Sequence, residues 1–138
     1  MLKVAVELPG EFESAGEWLA DAQAMEAAGA EALFVAAGRL DREALLAALA
    51  ASTWRCRLDL TGCSETVRLL ARGREVRGEE RWQRVPPPEG RDHWRRLHEE
   101  AEKAGAKGVL VPLGPRLLDL LRNADVEEDR SDLNLAQG

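Results

Sequence analysis

The chain has 138 residues, the size of one ordinary domain, and its 45% hydrophobic and 32% charged residues exclude collagen-like, disulfide-scaffold and wholly disordered classes. Nineteen basic against twenty-five acidic side chains give a net charge of −6, which argues against general nucleic-acid binding as a primary role. The longest apolar runs fall short of the ~18 to 20 residues that cross a bilayer, and no basic segment leads into a signal-peptide core, so a cytoplasmic protein without membrane partners is expected.

The opening segment Leu2 to Leu8 alternates apolar and polar residues and stops at Pro9-Gly10, which predicts a strand followed by a turn. Ser14 and Glu17 form a capping-box pattern. The helix they start carries Trp18, Leu19, Ala22 and Met25 on one face and ends at Gly29. Ala32 to Ala36 is a continuous apolar run, the pattern of a strand covered on both faces. Asp41 caps a second helix with Leu45, Leu46 and Leu49, and Arg57 to Thr61 reads as a third strand. Glu65 to Arg72 predicts a short helix ending at Gly73. Glu75-Val76 and Arg81 to Val85, around Gly78, predict a small hairpin, and Pro86 to Pro88 makes a stiff connector. Asp92 to Ala104 is helical, with Trp94, Leu97, Ala101 and Ala104 on one face. Gly108 to Pro112 is another buried strand, and Pro115 to Arg122 starts a last helix. Residues 1–123 thus form a single α/β domain with parallel strands, and the acidic, polar residues 124–138 predict a flexible tail.

One stretch repeats. Residues 25–38 (MEAAGAEALFVAAG) align without gaps on residues 101–114 (AEKAGAKGVLVPLG), and Trp18 and Trp94 keep the same offset of 76. Each copy reads helix, glycine cap, buried strand, glycine, the repeat expected of a helix returning over a parallel sheet.

Charge is unevenly distributed, at −6 for residues 1–54, +4 for 55–96 and −4 for 97–138. The basic middle is built from arginine alone, including Arg68, Arg72, Arg74, Arg77, Arg81 and Arg84. Arginine suits phosphate or carboxylate, so an anionic ligand or a solvated basic surface is expected there. Cys56 and Cys63 form no CxxC motif and read as reduced thiols. His93 and His98 lie ~140° apart around a helix, too far for shared metal ligation, and are expected on the surface. GxSxG, HExxH, Walker and GxGxxG motifs are absent.

Several segments together resemble the luciferase-like monooxygenase family, whose members use reduced flavin or a deazaflavin. These are the first strand and helix, EAAGAEALFVAAG, Leu69-Leu70 with Gly73, Val76, Gly78 and Trp82 closed by Pro86 to Pro88, and AGAKGVLVPLGPRLLDLLR. The resemblance implies a β/α barrel of the TIM type. A closed eight-fold barrel takes ~250 residues, with a floor near ~200, so this chain is expected to form an incomplete, half barrel. Where the family's members carry polar residues after the second strand, this chain has Ala36, Ala37 and Gly38, which offer no acid or base. A half barrel leaves two sheet edges unpaired, which predicts a homodimer or docking onto a full-length relative.

Ligands in such folds bind at the carboxyl ends of the strands. The residues expected there are Glu7, Gly38, Arg39, Asp59, Thr61, Gly62, Gly114 and Arg116. Glu7, Gly38, Arg39, Thr61, Gly114 and Arg116 are the candidate cofactor-binding set for FMN or a deazaflavin. Within it, Gly114-Pro115-Arg116 has the composition of a phosphate turn. No metal site and no catalytic residue are identified. Three readings follow: a shortened, non-catalytic or cofactor-binding relative that dimerises; an active flavin- or deazaflavin-dependent oxidoreductase with its site completed across a dimer; and a small α/β partner-binding protein that uses no flavin.

Overall fold

A computed structural model describes residues 1–123, in which strands and helices alternate strictly. They are β1 (Lys3–Leu8), α1 (Ala15–Ala27), β2 (Ala32–Val35), α2 (Arg42–Ser52), β3 (Arg57–Leu58), α3 (Glu65–Ala71), β4 (Trp82–Arg84), α4 (Arg91–Lys103), β5 (Gly108–Pro112) and α5 (Leu117–Arg122). The predicted tail at 124–138 lies outside the described residues.

The helix boundaries follow their caps. Ser14 Oγ accepts the Glu17 N–H at 3.2 Å, and the Asp41 carboxylate accepts the Glu43 N–H at 3.1 Å, each satisfying a donor that the first turn leaves unpaired. Gly29 and Gly105, at φ of 106° and 77°, take the left-handed conformation that ends α1 and α4, as the repeat predicts. α4 begins at Gly90, which has no side chain to cap with. His93 supplies a substitute nearby, its Nδ1 accepting the Glu89 N–H at 3.0 Å.

The five strands lie in the order β3-β2-β1-β5-β4, and every neighbouring pair is parallel. Strand alternation divides their side chains into two sets. Val4, Val6 and Leu8 of β1, Leu33 and Val35 of β2, and Val109 and Val111 of β5 join one core. All five helices cover that face, contributing Trp18, Leu46, Val67, Trp94 and Leu117 among others. Among the described residues, no helix lies on the opposite face. Ala5, Ala32 and Leu110 are buried there, with Phe34, Val76 and Trp82 packed against them.

A doubly wound sheet carries helices on both faces, so a one-sided arrangement with this strand order requires the sheet to curl. Its edges are tied accordingly. The Leu58 N–H donates to the Arg74 carbonyl, and the Val76 N–H donates to the Leu58 carbonyl, both at 2.9 Å. Below that bridge, the Glu80 carboxylate contacts Arg57 of β3 and lies 2.9 Å from Lys107, which leads into β5. In a flat sheet the two edge strands would stand about 19 Å apart.

Three expectations are corrected. Glu75-Val76 and Arg81 to Val85 do not pair as a hairpin, since Glu75 bridges β3 and β4 pairs with β5, both in parallel. A turn closed by the Glu80 N–H on the Arg77 carbonyl at 3.1 Å leads the chain from its bridge with β3 to β4 instead of back on itself. For the same reason the edge of β3 is partly paired rather than open. Finally, His98 is a core residue, 3% exposed, stacked edge-on against Trp94 with ring centroids 4.4 Å apart. Trp18 and Trp94 are buried as their helix faces predict, while Trp54 is 76% exposed.

Candidate functional site

The helix-free face opens at the carboxyl ends of the strands into a cleft of about 320 Å³. Register decides what lines it. Glu7 stands between Phe34 of β2 and Pro112 of β5, and one layer below, Ala5 stands between Ala32 and Leu110, with Arg84 of β4 beyond Leu110. The small side chains of Ala5 and Ala32 leave room above them, and Phe34, Val76, Trp82 and Leu110 form an apolar floor. The Phe34 and Trp82 rings meet edge to face with centroids 6.3 Å apart. Trp82 is held low by Gly108, whose missing Cβ would stand 2.4 Å from the indole ring and 2.3 Å from the Lys3 carbonyl oxygen.

Charged side chains rim this floor. Arg84 Nη1 donates to Glu7 Oε2 at 2.7 Å, across β5. Asp59 is fixed on its own side, accepting from Arg42 Nη2 at 3.2 Å and from Thr61 Oγ1 at 2.7 Å. The same Arg42 donates to the Asp59 and Thr61 carbonyls at 2.8 and 2.7 Å, locking the end of β3. Arg77 is exposed on the far rim, and its guanidinium has no partner among the described residues. Both carboxylates at the mouth are thus already engaged by donors, an arrangement that suits holding a ligand better than moving a proton.

The amino ends of the strands are sealed by charge. Lys3, Glu31, Arg57, Glu80 and Lys107, one from the start of each strand, form a chain of ion pairs. Burial opposes ionisation of Glu80, but the donors Arg57 and Lys107 outweigh it and bring its pKa down to about 2.

The expected site residues all fall at that end but are not gathered together. Thr61 lines the cleft, and Glu7 reaches it through Arg84. Gly38 serves packing: a Cβ there would lie 2.6 Å from the Gly10 backbone, because the loops after β1 and β2 cross at these two glycines. Arg39 points outward to Glu11 at 3.8 Å. Gly114 borders hollows on the helix side, Arg116 donates to the Glu89 carbonyl, and the Leu117 N–H donates to the Gly114 carbonyl at 3.2 Å. That turn is consumed by its own contacts.

Sequence reasoning missed Phe34 and Leu110 as cleft residues and left Trp82, Arg77 and Arg84 unplaced. The signal was present in the alternation, since Ala32 and Phe34, like Trp82 and Arg84, are two apart and share a face. The arginine-rich middle divides on inspection. Arg74 donates to Thr53 Oγ1 and to the carbonyls of Ala50, Cys56 and Ala71, and Arg68 to Glu75 and the Cys63 carbonyl, so both are internal stitches. Arg77 and Arg84 face the cleft.

Remote from the cleft, Glu26 of α1 is 7% exposed and accepts the N–H groups of Trp54, Arg55 and Cys56 at 2.9, 2.6 and 2.8 Å. Burial opposes its ionisation, yet these three donors keep its pKa below the ordinary value. Burial, with the Glu26 charge beside it, pushes the Cys56 thiol up to about 12. Among the described residues, no group of three or more His, Cys, Asp or Glu side chains could hold a metal ion. No helix among them is long and apolar enough to cross a membrane. Fold and cleft define the molecule as an α/β protein with a five-stranded parallel sheet. No family model, curated protein or solved structure matches the chain.

Proposed function

We propose that the chain is a shortened β/α barrel that binds, without transforming, a flat aromatic ligand in its carboxyl-end cleft, with FMN or a deazaflavin as the class that its resemblance to luciferase-like monooxygenases implies. The observation that carries this reading is the cleft itself: an aromatic and aliphatic floor of Phe34, Trp82, Val76 and Leu110 under a rim holding Arg77 and Arg84. Its volume of about 320 Å³ falls in the range of small-molecule sites, while its lining is more polar than theirs usually is, with Asp59, Thr61, Arg77, Glu80 and Arg84 around the apolar floor.

The barrel is supported by the one-sided helices, the bridge between β3 and residue 75, and a stagger within the repeat. Ala32 of β2 pairs with Ala5, whereas its counterpart Gly108 of β5 pairs with Lys3, a shift of two residues of the kind that closure of a barrel requires. Partnered carboxylates at the mouth and the bare Ala36-Ala37 weigh against the oxidoreductase reading. The bridge at Leu58 pairs part of one edge, and β4 ends the sheet at the other, so a homodimer or docking onto a full-length relative is the partner reading for that edge.

The test is a fluorescence titration of the protein with oxidised FMN and a deazaflavin. Binding at tens of micromolar or tighter, lost in Phe34→Ala with the fold intact by circular dichroism, is expected. Absence of binding by both overturns the cofactor reading and leaves the flavin-independent partner-binding alternative.

A further inference from the structure

We propose that Arg84 selects the anionic group of the ligand in this cleft, and that Glu7 occupies Arg84 while the cleft is empty. The inference rests on the cleft reading above and adds the charge chemistry of the ligand.

Three observations support it. First, position: Arg84 is level with Leu110 on β5 and Glu7 with Pro112, so the guanidinium crosses above the apolar floor to reach the carboxylate on β1. Second, exposure: the Arg84 side chain is 68% exposed against 19% for Glu7, so the carboxylate is the fixed partner and the guanidinium the one free to turn. Only Nη1 is engaged, at 2.7 Å, which leaves the other guanidinium donors for a second acceptor. Third, an unmatched cation: at the carboxyl end Asp59 is matched by Arg42 and Glu7 by Arg84, while the exposed Arg77 on the rim has no side-chain partner among the described residues.

A floor of rings and aliphatic side chains beside Arg84 and the unmatched Arg77 fits a flat aromatic ligand bearing an anionic group, a phosphate monoester or a carboxylate. Either presents two oxygens to a guanidinium in the planar fork that arginine matches best. On binding, Arg84 leaves Glu7 for the ligand, and the exposed ion pair it gives up is a weak one.

FMN and riboflavin test this directly, since they share ring and side chain and differ by the phosphate. With the full chain, FMN is expected to bind about tenfold tighter than riboflavin at low salt, and the gap is expected to narrow as salt rises. Arg84→Ala is expected to bring FMN down to the riboflavin level without changing riboflavin, and Arg84→Lys to keep part of the difference. Glu7→Gln, nearly the same shape, releases Arg84 and is expected to tighten FMN about three- to tenfold, an effect that Arg84→Ala abolishes in the double variant. Equal affinity for FMN and riboflavin, or a folded Glu7→Gln protein with unchanged or weaker FMN binding, overturns the assignment and leaves the cleft reading standing. Binding of neither compound at tens of micromolar overturns the cleft reading and this inference with it.

Discussion

Replacing Glu80 by glutamine removes the anion that ties the sheet's two edges. The Glu80 side chain is 8% exposed and bonds both Arg57 and Lys107. Glutamine keeps the shape and one acceptor but not the charge. Arg57, 21% exposed, then keeps only Glu31 at 3.5 Å, and Lys107 loses its partner. The pKa of Glu80 falls from 4.5 to about 2, which corresponds to about 3 kcal/mol of linked stability at neutral pH, before a discount for the partly exposed cations. We therefore expect Glu80→Gln to cost about 2 kcal/mol at pH 7, a fall in Tm of roughly 6 to 10 °C for a domain of this size. The pH dependence has a definite sign. A depressed carboxylate stabilises above its unfolded pKa and loses that contribution as pH drops from about 4.5 towards 2. Thermal and urea unfolding at pH 7 and pH 3 should thus show the difference between wild type and variant shrinking by more than half at the lower pH. A loss below about 0.5 kcal/mol, or the same loss at both pH values, would show that the edges are held by the backbone bridge at Leu58 and not by this carboxylate.

Further outcomes follow from single features of the structure. His98 is buried with neither ring nitrogen hydrogen-bonded among the described residues, and burial, helped by the Met1 ammonium, pushes its pKa from 6.5 down to about 4. The unfolded chain therefore binds the proton first, so stability should decline by up to about 3 kcal/mol as pH falls from 6.5 to 4, a slope that His98→Leu should flatten in unfolding titrations. Gly108→Ala should destabilise by about 2 kcal/mol or more and perturb Trp82 fluorescence, because the added methyl meets the Lys3 carbonyl and the indole ring; unchanged Tm and emission would count against that packing. Cys56 and Cys63 are both buried with raised pKa values, so a thiol reagent at pH 8 should label them only at the rate of unfolding, and rapid labelling of the native protein would contradict their burial.

The alternation of strands and helices was legible because each helix carries its own punctuation: Ser14, Asp41, Gly29 and Gly105 sit where unpaired backbone groups require them. The buried strands at Ala32 and Gly108 were equally plain, since the helix side of the sheet needs Leu33, Val35, Val109 and Val111, and the other side supplies Ala32, Phe34, Gly108 and Leu110. β4 was not legible as a parallel strand. Its three residues, Trp82 to Arg84, contribute little apolar burial, and what places them beside β5 is a hydrogen-bond ladder and the Glu80 contacts, all long-range. The site suffered from the same gap. Glycine-rich turns after β2 and β5 attract attention in a sequence, but Gly38 is spent on a backbone crossing and the Gly114 turn on its own hydrogen bonds. The residues that do face a cleft lie on strands, where only the register between distant segments puts Arg84 beside Glu7, a separation of 77 residues.

Small side chains and charge together shape the face away from the helices. The buried positions there are Ala5, Ala32 and Leu110, with Gly108 beneath Trp82. What those residues do not fill is occupied at the amino end by ion pairs and left open at the carboxyl end. A larger floor residue would close the cleft, and fewer charges at the amino end would leave it open at both ends. The open volume on this face therefore depends on small residues at Ala5, Ala32 and Gly108 as much as on the arginines above them.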